Sequence, residues 1–404
     1  MKKLIWLITA ALIFVSCSGV TDKPVLQMNS PIPVTNTREA KPETTEISQY
    51  KPLNYDTVKA VWISYLELAP ILDSGEEHFA SEFDKMCREC VNIGFNTLFV
   101  HVRAFSDSFY PSEYYPYSKA FCGNEFDALS IIVKTAHRYD LSLHAWINPL
   151  RCETEEALKD MPADCAVNKW LSDPQKYDEY VVYVESTKHY WLNPAVPEIR
   201  QLIADGAGEI VRKYEVDGVH IDDYFYPTDQ PFFDSGIYVE NDIGIPLSEW
   251  RMNNCSEMVR LIYSSVKQAN SSVLFGIAPQ GNIENNYNYM FADVKRWISE
   301  KGFCDYIVPQ IYFGYENKYK PFAETFSVWT ELPRDKSIKL MIGIGAYKIS
   351  SEEEFIEREG IIADQIGLSL SKSDGMALFS FRSLFESERA DTERELVADR
   401  LNEK

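Results

Sequence analysis

Asp222 and Asp223 stand side by side at the end of an otherwise apolar run, followed by Tyr224, Phe225, Tyr226 and Pro227. Two neighbouring carboxyls suit general acid and base work, because the charge on one raises the pKa of the other and keeps a proton available. Acidic pairs also cap helices and satisfy loop amides. What favours chemistry here is charge at the tip of a run with the character of a buried strand. Other runs end in polar groups of the same kind. Val102 and Arg103 lead to Asp107; His144, Trp146 and Asn148 alternate along another run; Gln280 ends a further one, and Gln310 with Tyr312 another. His220 shares a strand face with Asp222 and can orient it or a substrate hydroxyl. Arg103 can fork onto a carboxylate or grip hydroxyls, amides pair with hydroxyls, and the rings of Trp146, Tyr224 and Tyr312 can stack on sugar C–H faces. Such a lining suits a polysaccharide or other glycan substrate. Cleaving a glycosidic bond takes two carboxyls; Asp222 is the first choice, Asp223 the second, and Asp107 and Glu284 are reserve partners.

A rival reading uses His101, His144 and His220, which with Asp222 offer nitrogen and oxygen ligands for a metal-dependent hydrolase or deacetylase. The three fall at different heights along their runs, and no H-x-H or H-E-x-x-H spacing sets two together, so no metal is expected. A second rival is a glycan-binding protein that keeps the groove without the acid and base. The chain has no G-x-S-x-G, G-x-G-x-x-G or P-loop, so serine-nucleophile and nucleotide chemistry drop out and no cofactor is expected.

The elements that must position these residues repeat from residue 58 onward. Short β-branched or aromatic runs at Val58–Ser64, Asn96–Arg103, Ser142–Pro149, Val216–Tyr224, Leu274–Gly281, Asp305–Phe313, Leu340–Tyr347 and Gly375–Leu384 read as strands. Segments of helical period follow them: Glu76–Ile93, Phe126–Tyr139, Val196–Tyr214, Ser248–Ala269, Met290–Lys301, Lys318–Glu331, Glu352–Leu370, and one from Leu384 to the end. Ser350 with Glu353 fits a capping box, and Gly94 and Gly302 sit where helices should stop. Near-continuous apolar strands with no two-residue hairpin between them imply an α/β fold, a parallel (β/α)8 TIM barrel. The active site is then expected at the strands' carboxyl ends, with long loops after the third strand (150–194) and the fourth (225–247).

At the N-terminus Lys2 and Lys3 precede an apolar run from Leu4 to Val15, too short to span a bilayer, which needs about 20 residues. Residues 1–16 read as an export signal. Phe14-Val15-Ser16-Cys17 resembles a lipobox, with Cys17 lipidated and the protein tethered to a bacterial membrane outside the cytoplasm. Residues 17–56 are rich in Thr, Pro, Glu and Ser and read as a flexible linker, leaving 57–404 for the barrel. Removing Cys17 from eight cysteines leaves seven, so a fully paired disulfide framework is impossible. Cys152 and Cys165 are the one pair placed for a bridge, and Cys87 and Cys90 read as ordinary helix residues. Forty Lys plus Arg against 61 Asp plus Glu give a net charge of −21, which repels phosphate backbones and argues against nucleic acid as a partner.

Three blocks together resemble the glycosyl-hydrolase-like GHL10 (DUF187) family, whose members are often exported lipoproteins. They are Val102-Arg103 with Asp107 and Phe109 to Glu113; His144 to Pro149; and Asp217 to Pro227. Trp191 to Pro194 and Asp305 to Tyr312 add to the match, which covers most of 58–384. The resemblance implies a TIM-barrel glycoside hydrolase, and a Gram-negative member is understood to cut peptidoglycan glycan strands stripped of stem peptides. His101, Ser380 to Ser383 and the end of the fifth strand depart from the family pattern.

Overall fold

The computed structural model describes residues 50–241, 244–387 and 390–403. Its strands are β1 (Val58–Ile63), β2 (Thr97–Arg103), β3 (Ser142–Ile147), β4 (Val181–Val184), β5 (His189–Leu192), β6 (Gly218–Ile221), β7 (Leu274–Ile277), β8 (Tyr306–Ile307), β9 (Lys339–Gly345) and β10 (Gly375–Phe379). Strands β1, β2, β3, β6, β7, β8, β9 and β10 pair in parallel and close into a barrel, with β10 beside β1 and helices in the connections. This is the expected (β/α)8 architecture. The strands β4 and β5 form a separate antiparallel hairpin in the long connection after β3, joined through residues 185–188 and so without a two-residue turn. Its edge pairs with the segment after β3: Leu192 N–H donates to Leu150 O (2.8 Å) and Cys152 N–H to Tyr190 O (3.0 Å).

Several ladders end earlier than the apolar runs suggest. β6 stops at Ile221, β7 at Ile277 and β8 at Ile307, because the residues beyond them leave the sheet to form the barrel mouth. The segment read as one helix over 352–370 is two, Glu353–Glu357 and Ile361–Lys372, divided at Gly360 with φ +80°. The Ser350 capping box is not formed: the Ser350 hydroxyl meets Ser387, and Glu352 precedes the helix. Gly94, at φ +103°, does end the helix Glu76–Ile93.

The lumen is filled by alternate residues, with Trp62, Phe99, Trp146, Tyr306 and Met341 packed together. Large rings fit because their neighbours are small. A Cβ at Gly276 would lie 1.9 Å from the Tyr306 ring, and one at Gly218 would lie 2.3 Å from His144. Gly276→Ala should therefore cost about 2–3 kcal/mol, as overpacking that displaces Tyr306, read as a lower urea midpoint at unchanged m-value.

Residues 50–56, assigned to the linker on composition, are held to the barrel's amino-terminal end. The Tyr50 hydroxyl and the Leu53 N–H both donate to Asp217 at 2.6 Å. Cys17 and residues 1–16, the stretch read as an export signal, lie outside the described residues. The seven cysteines among the described residues are free thiols, so Cys152 and Cys165 form no bridge. Burial pushes the Cys87 and Cys90 thiols upward, as expected of inert residues on a helix's inner face.

Candidate active site

At the carboxyl ends of the strands lies a cavity of about 230 Å³, lined by Trp62, Ser64, Tyr65, Leu66, His101, Trp146, Arg151, Asp222, Asp223, Tyr224, Gln310, Tyr312, Tyr347 and Phe379. Strict alternation would send Asp223 away from Asp222. The ladder has already ended at Ile221, so both carboxyls reach the cavity. Asp222 is buried, and its carboxyl is pushed well above the usual range by burial first and by the charge of Asp223 second. The Tyr224 N–H (3.3 Å to Oδ1), the cation of Arg151 and the nearby Trp146 indole pull the other way without overcoming that. Trp146 Nε1 itself is buried without a partner at hydrogen-bond geometry.

Asp223 is held from both sides. Gln280 Nε2 donates to Oδ2 at 3.1 Å and Gln310 Nε2 to Oδ1 at 3.2 Å. The two glutamines bridge one another just past β7 and β8, so their amides converge on one carboxylate. Burial raises the Asp223 pKa, and the two amide donors oppose the shift. The pair thus divides as adjacent carboxyls with different surroundings do, one poised to keep a proton and one held by donors that favour its charge.

Beneath the cavity runs a layer of neutral histidines. Trp62 Nε1–H donates to His220 Nε2 (3.1 Å), leaving His220 Nδ1 to meet the Tyr306 hydroxyl (3.1 Å), which also meets His144 Nδ1 (2.7 Å). His101 accepts the Tyr65 N–H at Nδ1 (3.2 Å) and meets Asn148 Oδ1 through Nε2 (3.2 Å). Burial lowers all three, His144 to about 4, His101 to about 3 and His220 well below its ordinary value. With these nitrogens engaged, among the described residues no group of three or more His, Cys, Asp or Glu is placed to hold a metal ion.

Of the residues picked out from sequence, Asp222, Asp223, Trp146, Tyr224, Gln310 and Tyr312 line the cavity. Gln280 lines a second hollow of about 490 Å³ that shares Asp223, Gln310, Tyr312 and Tyr347 with the first, so the two form one groove bordered by Asp223. His144, His220 and Asn148, expected to touch substrate, are buried and are not among the residues that line the cavity; their hydrogen bonds place them in the layer beneath it. Arg103 is not among the lining residues either. The register shifts between His101 and Arg103, which turns the guanidinium out of the lumen to lie 4.2 Å over the Tyr115 ring and beside Gly206 of the helix Pro197–Lys213. Asp107 accepts the N–H groups of Ala104 (3.0 Å) and Phe105 (2.9 Å), folding its own loop beside a separate hollow. Glu284 is solvent-facing and paired with Lys320 at 2.6 Å.

The cation of the site is Arg151, which lies over Tyr224 (4.8 Å) and Phe105 (4.5 Å) and donates to the Tyr224 hydroxyl at 3.2 Å. It follows the third predicted strand by two residues, and only the pairing with β5 brings it to the mouth. Trp62, Tyr65, Tyr347 and Phe379 were also missed. The apolar end of β1 gives Trp62 no polar flag, though alternation with Val58 and Ala60 places it in the lumen. Most of the aromatic cluster after β6 belongs to the core: Phe225, Tyr226 and Phe233 are buried, with Phe225 against Trp297 at 5.2 Å.

Residues 57–358 match the family described as Glycosyl hydrolase-like 10. Glycosyl hydrolase YngK of Bacillus subtilis (strain 168) is 30% identical over 297 residues, covering 67% of this chain and 56% of that protein. Glycosyl hydrolase DigH of Escherichia coli (strain K12) is 28% identical over 305 residues, 67% of this chain and 66% of that one. The match thus spans little more than half the length of YngK. The glycoside hydrolase domain of PgaB (BpsB) from Bordetella bronchiseptica superposes with a TM-score of 0.59 at 10% identity, covering 84% of this chain and 99% of that domain. The catalytic domain of β-amylase from Paenibacillus polymyxa gives 0.56 at 11% identity, with 86% and 99% covered. At such identities the likeness establishes the barrel alone. With three quarters of its length matched and its barrel mouth built around an aspartate pair, the chain belongs to the glycosyl hydrolase-like 10 family.

Proposed function

We propose that this protein is a glycoside hydrolase that cuts O-glycosidic bonds within a cell-envelope polysaccharide, with the glycan strands of peptidoglycan as the leading candidate. Asp222 donates the proton to the leaving oxygen, and Asp223 is the second carboxylate. Arg151 and Tyr224 grip the substrate's polar edge, and the rings of Trp146 and Tyr312 flank the sugar. The observation that carries this reading is the pair itself: a buried carboxyl with a raised pKa beside one held by two amides, in a groove walled by aromatic rings. Because Asp223 borders hollows on two sides, a chain can continue past the cleavage point in both directions. The names of the relatives, glycosyl hydrolases, agree with this chemistry. In this reading residues 1–16 are an export signal, Cys17 carries lipid, and a linker suspends the barrel over its substrate outside the cytoplasm.

The test is to incubate the purified protein with peptidoglycan strands stripped of stem peptides and count new reducing ends. Strands bound but left uncut after prolonged incubation favour the glycan-binding alternative. Tyr319 borders the second hollow at 90% exposure and offers a stacking face. Tyr319→Ala should raise KM on long strands about fivefold, as the loss of roughly 1 kcal/mol of stacking, with kcat unchanged on short fragments.

A further inference from the structure

Deepening the hydrolase reading and resting on it, we infer that the sugar cleaved is a 2-acylamino sugar whose own amide oxygen, not an enzyme carboxylate, attacks the anomeric carbon. The first observation is the placement of the acids. Among the described residues, the carboxyls lining the cavity are Asp222 and Asp223, successive residues on one strand end. Displacement at the anomeric carbon needs a nucleophile on the face opposite the leaving oxygen, and an acid beside that oxygen. Carboxyls from successive residues approach a sugar from the same wall. The acids that might have faced them are committed elsewhere, Asp107 to loop amides and Glu284 to Lys320 on the surface.

The second observation concerns what Asp223 is built to do. Both of its oxygens are pinned by glutamine amides, and Gln310 is itself tied to Ala278 O at 2.9 Å. A nucleophile must advance toward carbon, and this one is restrained. Each carboxylate oxygen keeps a free lone pair, so Asp223 can still accept an amide N–H and balance a positive charge growing on that amide. The third observation is a set of donors and rings beside the pair. The Trp146 N–H is buried without a partner, and the Tyr312 hydroxyl, kept protonated by burial and by the neighbouring carboxyls, lines the same space. Trp62 and Phe379, 6.1 Å apart, add an apolar wall that suits an acetyl methyl.

The chemistry balances with water alone. The acyl oxygen bonds to the anomeric carbon as the glycosidic C–O bond breaks, and the leaving oxygen takes the Asp222 proton. The cyclised cation gives its N–H hydrogen bond, or its proton, to Asp223. Water then adds to the anomeric carbon and returns a proton to Asp222, Asp223 gives back to nitrogen any proton it took, and the ring reopens to the original amide with the anomeric configuration retained.

The experiment compares peptide-free peptidoglycan strands with the same strands chemically de-N-acetylated, using the full-length protein, and adds N-acetylglucosamine thiazoline, a stable mimic of the cyclised intermediate. Cleavage of the acetylated strands at least 100-fold faster is expected, with thiazoline inhibition that weakens at least 10-fold in Asp223→Asn. Equal cleavage of both strands, or a fluorosugar adduct trapped on Asp223, overturns the inference and leaves the hydrolase reading standing. Cleavage of neither overturns both.

Discussion

Asp222→Asn is expected to reduce hydrolysis by roughly 10³-fold, the size of a general-acid contribution, and at the same time to raise the melting temperature at neutral pH. The first effect follows because the amide has no proton to give the leaving oxygen. The second follows from linkage. The folded-state pKa of Asp222 lies above the unfolded value, so its contribution to stability is full below the unfolded pKa of about 3.9 and is lost as pH rises through the folded pKa. At pH 7 to 8 the wild type holds a buried charge, or a proton taken up against the pH, and the asparagine variant has neither cost. A Tm gain of roughly 1–3 °C at pH 7.5 should shrink toward pH 4.5. The wild-type rate should fall on the alkaline side as Asp222 loses its proton. An asparagine variant with full activity, or one less stable at pH 7.5 than at pH 4.5 relative to wild type, would refute the role assigned to this carboxyl.

Asp234→Ala should be the most destabilising single change near the site, about 3–5 kcal/mol, because it strands a buried guanidinium. Arg251, on the helix Leu247–Ala269, donates through Nε to both Asp234 oxygens (3.0 and 2.9 Å) and through Nη2 at 2.6 Å. Its remaining donors hold the carbonyls of Asp229 (2.8 Å) and Gln230 (2.9 Å), and it packs over Phe291 and Tyr226. This single side chain therefore fastens the loop that leaves β6 immediately after the two aspartates. Urea denaturation should show the loss. A double variant, Asp234→Ala with Arg251→Met, should recover part of it, since removing both charges abolishes the unpaired one. If the double variant were no more stable than the single, packing and not charge would govern the loop.

Local pattern carried the reading of the barrel a long way. The helix Glu76–Ile93 falls where its period and Gly94 place it, and Asp222 and Asp223 are marked by charge at the tip of an apolar strand, a signal that needs no partner residue to be seen. Gln310, Tyr312 and Trp146 could be found the same way, because alternation sorts lumen from helix layer as long as the ladder is regular. Arg103 shows where that logic ends. One register shift after His101 moves its guanidinium from the lumen to the helix layer, and a bulge leaves no mark in residue type.

The order of apolar and polar residues was enough to determine the barrel, the end of it that bears the site and the strand that bears the acids, since each depends on periods of two or 3.6 residues along one segment. Tertiary structure decided which cation serves the site, because Arg151 gains its place only when its segment pairs with β5. It also decided that the histidines close the floor, because Trp62 and Tyr306, from strands on other sides of the lumen, take up their ring nitrogens. Those outcomes depend on contacts between residues up to 162 positions apart, whose geometry exists only once the ring of strands has closed.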